Sequence, residues 1–331
     1  MRILAGTDDG LHLIRWLEGE KSGTTVSRSF EGQPVSSIVR APEAVIAAVP
    51  GLGLQRSVDG GATWEPLDER LAGSDVRTLA AAPTGELVAG TEPAALFVST
   101  DAGSSFTPLD AFAALGDSER WASYGGRKAH VEAIAFDPHD TNRMYAGVEI
   151  GGVYRSDDRG ASWFGVNEGV FDDVHDLSVD PRKGSRVFAA TGGGLYVSSD
   201  RGADWRPVPG ELGGRYCTCL FSLASTPVTE PSESLFLVGT ANGPPSSWGK
   251  RSAKAGARLW FSHDSGRNWE PSTQHGARDA TPISAFAANP HQQAAVLAGT
   301  VGGHLLHGHL AEDHWHQIDY GLGSVHSLVV V

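Results

Sequence analysis

The chain is poor in sulfur. Its 331 residues include two cysteines, Cys217 and Cys219, and two methionines. A disulfide-built secreted scaffold is therefore excluded. Cys-x-Cys with no further cysteine nearby is also a weak metal pair. The two thiols stand two apart on one expected strand, pointing the same way, where a bridge is strained. Buried free thiols are expected. No run of 18 or more apolar residues occurs, so no membrane span is expected. Basic charge is scarce too. Lys and Arg number 26 against 39 Asp and Glu, a net −13, which argues against nucleic acid as the main partner. No charged-then-apolar leader precedes the first expected strand, so a cytoplasmic location is expected. What remains is a globular chain, 40% hydrophobic, with ample material for a core.

Against these absences stands one phrase written five times, Ser-x-Asp-x-Gly-x-x-Trp. The copies are Ser57, Asp59, Gly61, Trp64; Ser99, Asp101, Gly103, Phe106; Ser156, Asp158, Gly160, Trp163; Ser198, Asp200, Gly202, Trp205; and Ser262, Asp264, Gly266, Trp269. Each follows a short apolar strand and precedes a strand opened by Trp or Phe, the pattern of a hairpin. The Asp carboxylate is suited to accept backbone N–H groups of its own turn. The Gly supplies a backbone angle that other residues resist. These Asp residues are read as structural and are not nominated as acids, bases or nucleophiles.

The spacing gives the architecture. Asp59 and Asp101 stand 42 residues apart, as do Asp158 and Asp200, a period typical of propeller blades. Each unit reads as four strands, the content of one blade. Two more units lack the Asp and Gly. One runs from Ile283 to Ile318; the other holds Ala5-Gly6-Thr7 near the N-terminus. Seven blades result. The chain starts at a second strand, Arg2 to Thr7, and ends on Val325 to Val331, which matches the missing first strand. The expectation is an all-β fold: one seven-bladed β-propeller domain over 1–331, its last strand completing its first blade.

These boxes and periods resemble the BNR/Asp-box repeat family, whose members share a sialidase-like fold and include WD40/YVTN/BNR-like repeat proteins. The resemblance covers essentially the whole chain. It implies the fold and leaves the activity open. Sialidases of this fold carry an Arg-Ile-Pro tripeptide that is missing here, so their catalysis does not carry over. Xyloglucanase-type relatives use two propellers with a cleft between them, and this chain has one. Sortilin-type receptors are secreted with a cysteine-rich neighbour domain, and photosystem II assembly factors normally carry a targeting sequence; neither feature is present.

Candidate functional residues gather on the face opposite the Asp-box turns. Two long connections lie there, longer than folding needs. Asp110 to His130 brings Trp121, Tyr124 and Arg127. Ala241 to Ala257 brings Trp248, Lys250 and Arg251. Cation plus aromatic suits an anionic or sugar-like ligand, and these six with Arg77 are the expected substrate-binding set. A third connection, Ser272 to Pro282, adds His275 and Arg278. The second residue of each first strand should line the central channel: Ser36, Arg77, Glu132, His175, Thr218, Ser284 and His326. Of these, His175, His326 and Glu132 are the catalytic candidates. His130, His175, His326 and Glu149 are the candidate ligands for a divalent metal. The histidines at 304, 307, 309, 314 and 316 read as surface residues of a degenerate blade. The leading expectation is binding of a small anionic or glycan-like ligand, or a protein partner. The alternatives are a hydrolase or lyase using the channel-mouth histidines, and an interaction scaffold.

Overall fold

A computed structural model describes the chain except residues 68–70, 72, 116–120, 122–127, 225–228, 249–254, 274–280, 291, 293, 294, 311 and 312. Among the described residues, seven four-stranded antiparallel sheets form a ring, a seven-bladed β-propeller. Blade 1 is closed by the chain's two ends. Val325–Val330 pairs with Arg2–Thr7, which continues through Gly10–Arg15 to Thr24–Ser29. Blades 2 to 7 open with Ser37–Ala41, Asp75–Ala81, Val131–Phe136, Val174–Val179, Tyr216–Leu223 and Ile283–Ala288. No described helix is long and apolar enough to cross a membrane.

The second strands are buried throughout, as in Ala44–Val49 and Leu235–Ala241. A neighbouring blade covers each face, so alternation gives way to runs of Val, Leu and Ala. One apolar layer fills each gap between blades. Blades 4 and 5, for instance, share Tyr145, Val153, Val174, Leu177 and Trp205. The repeated Ala-Gly-Thr now has a cause. A Cβ added at Gly147 would meet Val174 Cγ1 at 2.6 Å, and one at Gly299 would meet Val325 Cγ1 at 2.4 Å. Glycine lets the next blade's first strand approach closely.

The Ser-x-Asp-x-Gly turns are saturated hydrogen-bond units. In blade 4, the Ser156 hydroxyl donates to Asp158 Oδ1 (2.8 Å) and accepts the N–H of Gly160 (2.7 Å). Asp158 Oδ1 accepts the Ser162 N–H, and Oδ2 accepts its hydroxyl. The Ser162 hydroxyl and amide hold the Asp158 carboxyl below its ordinary range. The other four copies repeat the Ser–Asp–Gly bonds. The turn also takes two successive left-handed residues, such as Arg159 and Gly160. The Asp side chains are thus occupied within their own turns.

One sequence expectation is corrected. Cys217 and Cys219 are buried and free, but they point opposite ways. Cys217 packs between blades 5 and 6, and Cys219 between blades 6 and 7. The pairing of their strand slips between them, leaving Thr218 as a bulge. One extra residue inverts the two-residue alternation.

Candidate functional site

The same slip recurs around the ring and builds the channel. First-strand pairing jumps from Val76 to Thr78, Val131 to Ala133, Val174 to Asp176, and Ile283 to Ala285. In blade 1 it passes from Ser327 to Val325. The skipped residues are Arg77, Glu132, His175, Ser284 and His326, with Thr218 in blade 6. A bulged residue leaves the ladder, and its side chain is re-aimed. With Ser36 these are the seven residues expected to line the channel. All seven border one polar cavity of about 240 Å³.

Four of them stitch blade to blade. The hydroxyls of Ser36, Thr218 and Ser284 donate to the carbonyls of Val76 (2.7 Å), Ile283 (2.6 Å) and Val325 (2.5 Å). His175 Nδ1 lies 2.6 Å from the Cys217 carbonyl. Each acceptor is the residue just before the next blade's bulge. His175 Nε2 faces Asp173 at 3.3 Å. Burial pulls the His175 pKa down, but Asp173 outweighs it and the net shift is upward. His326 Nε2 meets Asp8 Oδ1 at 2.5 Å. Sequence reasoning missed Asp176, which also borders the cavity. Burial raises its carboxyl to about 7, even though it accepts the N–H groups of Leu220 and Leu177. A charged residue in the inward run Val174-His-Asp-Leu177 was the visible signal.

The expected four-residue metal set is not gathered. His175 and His326 are held by Asp173 and Asp8, each at its own blade. His130 and Glu149 do meet, and Glu132 joins them. His130 Nε2 is 2.6 Å from Glu149 Oε2 and 3.0 Å from Glu132 Oε2. All three ligand atoms lie within 4.8 Å of one another. His130 is 97% buried while the Glu132 side chain is 38% exposed to the channel. Burial disfavours the imidazolium, but the two carboxylates override it and push the His130 pKa up to about 9. Desolvation would raise the Glu132 carboxyl, yet His130 beside it gives a net lowering. Behind the cluster, His130 Nδ1 lies 3.3 Å from the Lys128 carbonyl. Glu92 accepts the Lys128 N–H and approaches Arg77 Nε at 4.0 Å. Arg77 also faces Asp75 at 3.7 Å.

The long loops turn their tryptophans inward. Trp121 donates to the Tyr154 hydroxyl (2.6 Å) and packs on Phe112. Trp248 donates to the Gly243 carbonyl and is buried among Ala241, Ala255 and Ala257. Neither indole borders the channel cavity. An apolar ring of that size finds its burial by anchoring its own loop. Trp248 touches Tyr216, which touches His175, so it backs the mouth from behind. Tyr124, Arg127, Lys250, Arg251, His275 and Arg278 lie outside the described residues. Among the described ones, Arg77, His130, His175 and His326 each face a carboxylate.

A second cavity, about 270 Å³, lies on the seam between blades 7 and 1. It corrects the reading of one residue of the histidine-rich stretch, His307; the other four are exposed or partly exposed. His307 is buried, paired across strands with His316 and packed against Trp16 with the rings tilted. Burial, with His309 and His316 beside it, pushes its pKa down to about 4.

Neither a family model nor a curated protein matches this chain. Solved structures do. A GH74 xyloglucanase from Xanthomonas campestris is similar at 21% identity and TM-score 0.60, over 86% of this chain and 45% of that one. The Niastella koreensis GH74 enzyme gives 16% and 0.65, over 95% and 46%. The chain thus spans less than half the length of these enzymes. The structure of YCF48 bound to D1 peptide is similar at 16% and 0.59, over 92% of this chain and 86% of that one. At these identities the likeness shows the fold alone, a seven-bladed propeller.

Proposed function

We propose that this chain is a BNR/Asp-box propeller of the cytoplasm that binds a small polar ligand at the channel mouth opposite the Asp-box turns. One observation carries the reading. Seven polar or charged side chains, six of them on bulges, border a single cavity, and two of them, Arg77 and Glu132, bear a charge not used to stitch blades. Convergent polar groups in a concave site are what a small ligand needs for orientation. The cavity suits an acid or a monosaccharide-sized molecule, or one side chain of a protein partner, and is too small for an extended glycan. The two free thiols accord with a reducing compartment. The test is a thermal-shift screen of small carboxylic acids and sugars, followed by calorimetry on the best binder. Arg77→Ala and Glu132→Gln should each weaken it at least tenfold, about 1.4 kcal/mol. Unchanged affinity in both, or a ligand bound on the Asp-box face, contradicts the reading.

A second reading, a hydrolase or lyase, is favoured by Asp176. A carboxyl near neutrality beside an imidazole is suited to proton transfer. Turnover abolished by Asp176→Asn with ligand affinity kept would select it.

A further inference from the structure

We infer that His130, Glu132 and Glu149 form a binding site for one first-row divalent cation, Mn²⁺ or Zn²⁺, at the channel mouth. The inference deepens the reading of that mouth. Because the ion is titrated without any ligand, its failure leaves that reading standing.

The argument starts from a mismatch. Two carboxylate oxygens converge on a single imidazole nitrogen, at 2.6 and 3.0 Å. His130 Nε2 has one proton to offer. It serves Glu149 at the shorter distance, and Glu132 Oε2, although buried, is left with no hydrogen-bond partner. A buried acceptor without a donor is costly. One imidazolium between two carboxylates also leaves the cluster a net negative charge. A divalent cation answers both deficits: it neutralises two carboxylates and accepts a lone pair from each of the three groups. On binding, the Nε2 proton leaves to solvent and Nε2 becomes a ligand.

The surroundings are those of a held ligand set. His130 is fixed from behind by the Lys128 carbonyl at Nδ1. That contact selects the tautomer that leaves Nε2 free to coordinate, the usual arrangement behind a metal-bound imidazole. The three residues sit on firm elements: Glu132 on the bulge of Val131–Phe136, His130 at its entry, and Glu149 in the turn after Met144–Val148. Glu149 is tied to His130 through its backbone as well, its N–H donating to the His130 carbonyl. One nitrogen with two carboxylates suits Mn²⁺, Fe²⁺ or Zn²⁺ better than Ca²⁺, which prefers more oxygens, or a thiophilic ion. Three protein ligands leave positions open, and Glu132 borders the channel cavity. An ion here gives an anionic or hydroxylic ligand a cationic partner at a mouth where Arg77 already faces two carboxylates.

The test is calorimetric titration of chelator-treated full-length protein with MnCl₂ and, separately, ZnCl₂. One equivalent should bind with micromolar or tighter affinity. Glu132→Gln and Glu149→Gln, near-isosteric changes checked for unchanged melting, should each weaken it at least tenfold. The His307→Gln/His316→Gln double variant should leave it unchanged. Pulsed electron paramagnetic resonance of the Mn²⁺ complex of the unaltered protein should show one imidazole nitrogen on the ion, which keeps the test independent of any variant's folding. Binding no tighter than millimolar, affinity indifferent to Glu149→Gln, loss of binding in the hairpin variant, or no nitrogen coupling would each overturn the site.

Discussion

Two buried histidines have their pKa values shifted in opposite directions in this molecule. At the channel mouth, His130 lies between two carboxylates and its pKa rises to about 9. On the seam between blades 7 and 1, His307 lies under Trp16 beside two other imidazoles, and its pKa falls to about 4. Burial pushes both down. What differs is the neighbours: carboxylates favour the charged form, while other histidines oppose it. The mouth concentrates charge in a channel open to water. The seam is an apolar joint that happens to contain histidines. The first leaves charged groups facing the channel, and the second closes the ring.

The largest expected effect comes from removing what keeps the seam closed. Val325, Leu328 and Val330 pack with Trp16 in that layer. Deleting 325–331 should bare the Arg2–Thr7 edge and cause aggregation. A deletion variant that stays soluble with an unchanged melting temperature would show that closure does not hold the ring. Next is His130→Ala, which leaves two carboxylates facing one another. Breaking such a pair should cost about 2–4 kcal/mol in denaturant titration, toward the lower end because channel water screens the carboxylates. A neutral effect would mean the cluster is already relaxed. Ser156→Ala is expected to cost about 1–3 kcal/mol, since the buried Gly160 N–H loses its acceptor. It lies on the other face, so ion and ligand binding at the mouth should not change; a change would tie the two faces together.

The smallest effects are pH profiles of opposite sign, read on metal-free protein. His130 has its folded pKa raised above the ordinary 6.5. Its contribution is fully present below pH 6.5 and lost as pH rises through about 9. His307 is depressed. Its contribution is present above pH 6.5 and lost as pH falls toward 4. His130→Gln should therefore flatten the alkaline side of the melting-temperature curve, and His307→Gln the acid side. Both variants flattening the same side would contradict the contrast.

Much of the fold was legible because its signals are local. A Ser-x-Asp-x-Gly turn satisfies its own hydrogen bonds within seven residues, so it announces a hairpin wherever it stands. The ring closed on paper because Val325 to Val331 is a first strand without a blade and Arg2 to Thr7 a blade without a first strand. The channel ring was also found, since aligning the repeats places one residue per blade at the same position. The bulges were not legible. They involve no special residue on the first strand, and the small residue facing them on the second strand is a Gly in most blades but Ala190 in blade 5. They turned Cys217 and Cys219 apart and aimed Glu132 at His130. Other contacts depend on chain distance. His307 is dry because Trp16, from the opposite end of the sequence, covers it. His326 is occupied by Asp8, and His175 by the carbonyl of the next blade. No pattern within one repeat announces such partners, so residues that share a ring position did not share a site.

The measurement that bears most directly on the channel mouth as the functional site is anomalous diffraction from crystals soaked in MnCl₂. A peak is expected between His130, Glu132 and Glu149, with none at the His307–His316 hairpin. A peak confined to the hairpin, or an empty mouth with an ion on the face of the Ser-x-Asp-x-Gly turns, would contradict it.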